Sequence, residues 1–164
     1  ASQQLPGRPE QTATAADTLE ATLNVARTAR RSICLFSHNL EPVLFGRQDF
    51  VEIVKGLILT HKFARVRILI KSPMRCVQEG HRLVDLAQRF SSFVEIRVAH
   101  RDDQGRRDTF LVADQRAVVC RAQSDRFEGI ADTRTAAVAL HYLEFFDTAW
   151  ERAESSGELR RLYL

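Results

Sequence analysis

Apolar residues along the chain recur with two periods, one typical of helices and one typical of strands. Spacings of three and four residues predict four helices, and short apolar runs predict three strands and a hairpin. The predicted helices cover residues 17–29, 48–61, 77–90 and 135–154, and the predicted strands cover 32–37, 66–71, 93–98 and the hairpin 108–121. Residues 122–133 show no clear period. The predicted element order is therefore α-β-α-β-α-β-β-β-α.

This order predicts the fold class. Strands that alternate with helices indicate βαβ crossovers, which place the strands in parallel and cover both faces of the sheet. The late hairpin adds an antiparallel strand. We therefore expect an α/β fold with three layers, in which a mixed, mostly parallel sheet carries helices on both faces.

The folded domain is expected to begin at residue 17. Residues 1–16 are small and polar, with two Pro and one Gly, which is typical of a disordered linker or a tag remnant. Asp17 followed by Glu20 three residues later indicates the start of a helix. Residues 17–164 are long enough for a single domain with one core. The linker-like start favours a domain that belongs to a larger protein.

Composition and charge narrow the classes of partner. No apolar run reaches the roughly 18 residues of a membrane span, so no membrane contact is expected. The three cysteines form no Cys-x-x-Cys pair, which indicates free thiols and a cytoplasmic protein. No pair of histidines has metal-ligand spacing, so neither a metal nor a cofactor is expected. The net charge is +3 and the arginines are spread along the chain, so nucleic acid is not expected as a partner.

The hairpin carries the most informative chemistry. Its sequence over residues 107–121 is RDTFLVADQRAVVCR, with Asp114 at the turn. It resembles the strand-turn-strand that carries the His-x-Lys-x4-Asp motif of phospholipase D-like proteins, with Arg107 at the His position and Thr109 at the Lys position. The element order and an aromatic-rich final helix extend the resemblance over roughly residues 17–154. The chain thus resembles one half of a phospholipase D-like protein.

The resemblance implies a scaffold that has lost its nucleophile. In active members the His attacks phosphorus and the Lys stabilises charge on the phosphate oxygens. A guanidinium stays protonated, so Arg107 cannot be the nucleophile, and no general base for Thr109 is evident. The family's Gly-Ser-x-Asn stretch is also absent, and turn chemistry alone explains the surviving Asp114. We therefore expect a degenerate, non-catalytic binding or assembly module without phosphodiesterase or phospholipase activity.

Four residues are predicted to form a residual anion site at the degenerate centre. Arg107 and Thr109 share one face of an extended strand, and Arg121 lies on the partner strand. His38 follows the first strand, where open α/β sheets tend to place ligands. Two guanidiniums, a hydroxyl and an imidazole suit phosphate or carboxylate. The alternative is that both arginines pair with acidic residues or point into water.

The resemblance also implies a homodimer. The phospholipase D-like family is bilobal, and its two halves pack about a twofold axis. A lone half would leave that apolar face exposed, and such patches mark interfaces. We therefore expect a second copy of the chain to cover it.

A second pattern leaves another function open. Arg126, Gly129 and Ala131 fit the loose Arg-x-x-Gly-x-Ala signature of GNAT-type acetyltransferases, whose loop amides at a helix start bind the pyrophosphate of coenzyme A. The pattern follows a predicted strand and precedes a predicted helix, but the upstream order lacks that family's antiparallel core. The alternative function is therefore an acetyltransferase-related protein, or an accessory domain of one, that uses acetyl-CoA.

Overall fold

A computed structural model describes residues 10–153 of the chain. The strands are β1 (Glu10–Thr12), β2 (Ser32–Ser37), β3 (Arg65–Ile70), β4 (Val94–Val98), β5 (Thr109–Ala113), β6 (Ala117–Arg121) and β7 (Gly129–Asp132). The helices are α1 (Ala15–Arg27), α2 (Gln48–Thr60), α3 (Met74–Glu79), α4 (Arg82–Arg89) and α5 (Ala136–Arg152). The strands and the hairpin predicted from apolar runs are present, and their ends differ by no more than one residue from the predicted ones.

The described strands form one mixed sheet in the order β1-β7-β6-β5-β2-β3-β4. Within it, β2–β3 and β3–β4 pair in parallel, and the other four pairings are antiparallel. The prediction of a mixed sheet is confirmed, but the prediction that the sheet is mostly parallel is wrong. A parallel pairing needs a crossover, and among strands that are neighbours in the sheet helices connect only β2 to β3 and β3 to β4. After β4 the chain returns beside β2 and continues in antiparallel pairs.

Helices cover both faces of the sheet, as predicted. Along β2, Ile33 and Leu35 pack in the core under α1, α2 and α4, whereas Cys34 and Phe36 pack in a second core under α5. This division follows from the strand, whose successive side chains point to opposite faces. The continuous apolar run of β2 is thus explained by burial on both faces.

Apart from the predicted helix 77–90, the helices differ from the predicted ones by no more than two residues at their ends, and two of the differences have a clear local cause. The first helix is capped by Thr14 rather than by Asp17, because the Thr14 hydroxyl accepts from the Asp17 N–H and the Asp17 carboxylate accepts from the Thr14 N–H. The helix predicted over 77–90 is two helices, α3 and α4. The break falls at Gly80, whose φ of 73° lies in the left-handed region.

Two strands lie where the sequence predicted none. β1 falls inside the segment 1–16 that was predicted to be a linker, and β7 falls inside the aperiodic segment 122–133. They pair with each other, and β7 also pairs with β6. A Cβ at Gly129 would lie 2.3 Å from the Cys120 carbonyl oxygen, so only glycine permits this close approach. The first nine residues lie outside the described part, so the predicted linker is not tested there.

The three cysteines are free and buried within the two cores. Burial raises the pKa of the Cys76 thiol to about 11, and burial also raises the pKa values of Cys34 and Cys120. Protonated, enclosed thiols are poor nucleophiles near neutral pH. Separately, no helix within residues 10–153 is both long and apolar enough to cross a membrane.

Candidate functional site

The motif residues gather at one edge of the sheet, which we call the motif edge. It consists of the carboxyl ends of β2, β3 and β4, the open end of the β5–β6 hairpin and the loops that follow them. Thr109 begins β5 and lies directly opposite Arg121, the last residue of β6. His38 follows β2 on the same edge.

Thr109 is too enclosed to meet a ligand. The residue is only 3% exposed, and its hydroxyl has no hydrogen-bond partner among the described residues. The cavity beside it is about 10 Å³, roughly the space of one water molecule. A phosphate group therefore cannot reach the Thr109 hydroxyl.

Arg121 is fully occupied by neighbouring groups. Its guanidinium forms a forked ion pair with the Glu41 carboxylate, and the two side chains are only 3% and 16% exposed. Its Nη1 also donates to the carbonyl oxygens of Ser124 at 3.3 Å and Arg126 at 2.9 Å. This pairing with an acidic residue is the alternative that the sequence left open, and it leaves Arg121 no charge to offer an anion.

The other two candidate residues are exposed to solvent. Arg107 precedes β5, and its carbonyl oxygen accepts from the Ser124 N–H at 2.8 Å, while its side chain is exposed. His38 is exposed as well. Two of the four predicted residues are thus buried and two are exposed, so the four do not line one pocket. An anion site on Arg107 and His38 stays a prediction.

Asp114 lies at the opposite end of the hairpin, where its side chain binds backbone N–H groups of the same chain rather than a ligand. Its carboxylate accepts from the backbone N–H groups of Arg30, Arg31 and Ser32 at 2.7, 2.7 and 2.9 Å. The hairpin loop consists of residues 114–116, and the Arg116 N–H donates to the Ala113 carbonyl oxygen at 3.0 Å. The two central residues of this turn, Asp114 and Gln115, both have positive φ, as in a type I′ turn. The last remnant of the motif therefore joins the hairpin to the turn between α1 and β2.

The proposed coenzyme A loop does not have the geometry that its signature needs. Gly129 and Ala131 lie inside β7, where they are paired with neighbouring strands, and Arg126 lies in the preceding loop. The next helix begins only at Ala136. The backbone N–H groups of residues 126–131 therefore do not form a cradle at a helix start, which is what pyrophosphate binding requires.

His81 fixes the loop that carries Glu41. Its Nδ1 accepts from the Leu83 N–H at the start of α4, so the protonated Nε2 donates to the Leu40 carbonyl oxygen at 2.8 Å. Leu40 has a φ of 56°, a strained value for a branched residue. Burial lowers the pKa of His81, against the raising effects of the Leu40 carbonyl and the Asp85 carboxylate. The imidazole is therefore neutral at pH 7.

Acidification is expected to weaken the fold through His81. Because the folded-state pKa is lowered, stability from the neutral imidazole is complete above the unfolded value of 6.5. It is lost as the pH falls from there towards the folded value, by up to about 1.4 kcal/mol per pH unit. Urea denaturation at pH 7.5 and 5.5 should show a larger drop for the wild type than for His81→Asn. His38→Asn, a change at an exposed histidine, serves as control, and an equal drop in all three proteins would contradict the prediction.

The opposite edge of the sheet, which we call the basic edge, carries a cluster of positively charged side chains. It is formed by the turns 27–32, 60–65, 89–93 and 114–116, which precede the parallel strands or close the hairpin. These turns contain seven Arg or Lys residues and one carboxylate, that of Asp114. The seven are Arg27, Arg30, Arg31, Lys62, Arg65, Arg89 and Arg116.

Carbonyl groups and aromatic rings, rather than carboxylates, contact these cations. Arg30 Nη1 donates to the Arg27 carbonyl oxygen at 2.9 Å, and the Lys62 ammonium lies 5.6 Å from the centroid of the Phe63 ring. Every ion pair between the described residues involves other side chains. The positive charge of the basic edge is therefore not neutralised within residues 10–153.

A family model described as "Domain of unknown function (DUF7931)" matches residues 14–162. The chain belongs to this family. A search of curated proteins gives no match for the DUF7931 domain.

Solved structures identify the fold of the DUF7931 domain. NucT from Helicobacter pylori, a nuclease of the phospholipase D superfamily, has a TM-score of 0.63 at 10% identity, covering 91% of this chain and 99% of NucT. TrmBL2, an archaeal chromatin protein with a novel mode of DNA binding, has a TM-score of 0.62 at 16% identity. That match covers 94% of this chain but 56% of TrmBL2, so the chain spans little more than half of that protein. At these identities the likeness shows the fold alone, which is an α/β fold of the phospholipase D-like type.

The prediction that nucleic acid is not a partner is wrong. A structure of the same fold belongs to a DNA-binding chromatin protein, which removes the ground for excluding this class. The prediction relied on arginines that are spread along the sequence. In the fold, turns that are about 30 residues apart meet at the basic edge, so spacing along the chain could not reveal the cluster. The predicted homodimer is not tested by these comparisons and stays a prediction.

Sequence patterns did not predict the structural roles of Glu41 and His81 or the exposure of Phe63. Glu41 is 80 residues away from Arg121, and no periodicity links the two. His81 caps a helix that the hydrophobic pattern joined to its predecessor. Phe63 had a usable signal, because an aromatic residue directly after His61 and Lys62 lies in a turn, where small and polar residues are usual.

Proposed function

We propose that this domain is a non-catalytic module of phospholipase D-like fold that binds the phosphodiester backbone of nucleic acid through its basic edge. The observation that carries the proposal is the convergence of seven cationic side chains and one carboxylate in four neighbouring turns at one edge of the sheet. Such a surface favours a polyanion, because each neutralised phosphate releases counterions.

Helix capping explains why two of these cations are present. Arg27 and Arg89 lie in the last turns of α1 and α4, where a cation stabilises the carboxyl end of a helix. Arg31, Lys62 and Arg116 lie outside the helices and their side chains are exposed. Capping does not explain these three residues, and the proposal assigns them to phosphate groups.

The comparisons support nucleic acid as the partner. TrmBL2 is a DNA-binding chromatin protein, and NucT is a nuclease of the same superfamily fold. The motif edge supports binding without cleavage, since Arg107 occupies the nucleophile position and Thr109 is buried. Neither residue offers a group that could attack phosphorus near neutral pH.

The triple variant Arg31→Gln/Lys62→Gln/Arg116→Gln is expected to bind a fluorescently labelled oligonucleotide at least about tenfold more weakly than the wild type at about 50 mM salt. The slope of log affinity against log salt should become less steep by about 2 to 3, because each lost phosphate contact contributes nearly one unit. Fluorescence anisotropy over a salt series measures both quantities. Thermal unfolding should be little changed, since all three side chains are exposed.

The matched control is Arg82→Gln/Arg101→Gln/Arg126→Gln, which removes the same charge from exposed positions at or next to the motif edge. This control is expected to keep the affinity and the salt slope of the wild type within about twofold, apart from a weak effect of net charge. Loss of affinity in the control and not in the basic-edge variant would mean that nucleic acid binds at the motif edge, which would contradict the proposal. A wild type without salt-dependent binding would overturn the proposed function.

A further inference from the structure

Phe63 is the most exposed large apolar side chain among the described residues, at 81%. It lies in the turn between α2 and β3, directly after Lys62 and within the basic edge. Neither apolar core includes it, so core packing does not explain an aromatic residue at this place. An aromatic ring displayed among cations is the arrangement with which proteins stack the bases of single-stranded nucleic acid.

A pocket adjoins this ring. It has a volume of about 530 Å³ and is lined by Arg30, Arg31 and the five turn residues from Thr60 to Ala64. This volume falls within the range of small-molecule sites, and its walls combine one apolar ring with cationic and hydroxyl groups. The pocket is thus matched in size and chemistry to one nucleotide.

Resting on the proposed function, we infer that the pocket accepts an unstacked base of single-stranded nucleic acid, with Phe63 as its stacking ring. The guanidiniums of Arg30 and Arg31 and the Lys62 ammonium flank the pocket and take the adjoining phosphates. In a duplex the bases are paired and stacked inside the helix, so a side chain on the surface cannot reach a base face. The basic edge therefore binds both forms through phosphates, and Phe63 adds affinity for single strands alone.

The test compares single-stranded and duplex oligonucleotides of the same sequence in anisotropy titrations of the wild type, Phe63→Leu and Phe63→Trp. Phe63→Leu keeps an apolar side chain but removes the aromatic ring, and it should weaken single-strand binding at least about fivefold. Duplex binding should stay within about twofold. Phe63→Trp should retain single-strand affinity, and its added indole fluorescence should be quenched by single strands and not by the duplex, with buried Trp150 as the constant background.

Failure of this inference can be told apart from failure of the proposed function. Suppose that the wild type binds both oligonucleotides and that the Arg31→Gln/Lys62→Gln/Arg116→Gln variant binds neither. If Phe63→Leu then changes the affinity for neither oligonucleotide, the stacking role is wrong, and the basic edge remains the binding site. An equal loss for single strand and duplex in Phe63→Leu also overturns the stacking role. If neither oligonucleotide binds the wild type, the proposed function falls and the pocket assignment falls with it.

Discussion

Replacing Glu41 with leucine is expected to lower the free energy of unfolding by about 3–5 kcal/mol. The change removes the only carboxylate that pairs with Arg121 among the described residues, and that guanidinium is 97% shielded from solvent, as its 3% exposure implies. An unpaired buried charge keeps its desolvation cost and loses the attraction that offset it. The two remaining carbonyl acceptors, those of Ser124 and Arg126, carry no full charge to compensate it.

Two further variants separate this effect from a general response to a lost carboxylate. Glu79→Leu breaks the exposed pair with Arg75 and should cost no more than about 1 kcal/mol. The double variant Glu41→Leu/Arg121→Met removes both charges and should recover at least about half of the loss. Urea denaturation measures all of these values. A Glu41→Leu protein within about 1 kcal/mol of the wild type would show that Arg121 does not depend on the pair.

The consequence is that the open end of the hairpin has a structural role. Glu41 belongs to the loop after β2 and Arg121 ends β6, so their pair ties that loop to the β6–β7 connection. His81 holds the same loop from the side of α4. With Thr109 buried beside them, this end of the hairpin is filled by the protein's own side chains, and the basic edge lies at the opposite ends of the strands.

The sequence predicted the parts of the fold that are determined by burial. The β2 run and the β5–β6 hairpin are apolar on both faces because helices cover both sides of the sheet. Their positions could therefore be predicted directly from the runs of apolar residues in the sequence. The residues at the two motif positions could be read in the same way, because motif spacing assigns Arg107 and Thr109 to them without any tertiary information. The break between α3 and α4 depends on one backbone angle at Gly80.

The parts that could not be predicted depend on contacts between distant segments. The β1 residues Glu10–Thr12 are polar, and this strand exists because β7 offers it hydrogen bonds at the sheet edge. The direction of the later pairings depends on how the chain returns after β4, which apolar periodicity does not encode. The basic edge has the same origin, since its charges become neighbours only when the strand order β5-β2-β3-β4 is known.

Asp114→Ala is expected to destabilise the domain by about 3 kcal/mol, the second large effect. The carboxylate accepts three backbone N–H groups at 2.7–2.9 Å, and hydrogen bonds to a charged group contribute about 1.5–3 kcal/mol. Alanine also tolerates the φ of 55° poorly, at a cost of about 1 kcal/mol.

Asp114→Asn separates the two causes of that loss. Asparagine accepts the left-handed conformation and keeps one carbonyl oxygen, so it removes the charge and one acceptor while the turn stays relaxed. It should therefore lose about half as much stability as Asp114→Ala. Gln115→Gly relieves the neighbouring positive φ of 61° and should raise stability by about 0.5–1 kcal/mol, which confirms that the turn geometry persists in solution. Equal, small losses for Asn and Ala in urea denaturation would mean that Asp114 does not hold the backbone of Arg30 and Arg31. In that case this remnant of the motif would need an explanation outside the fold.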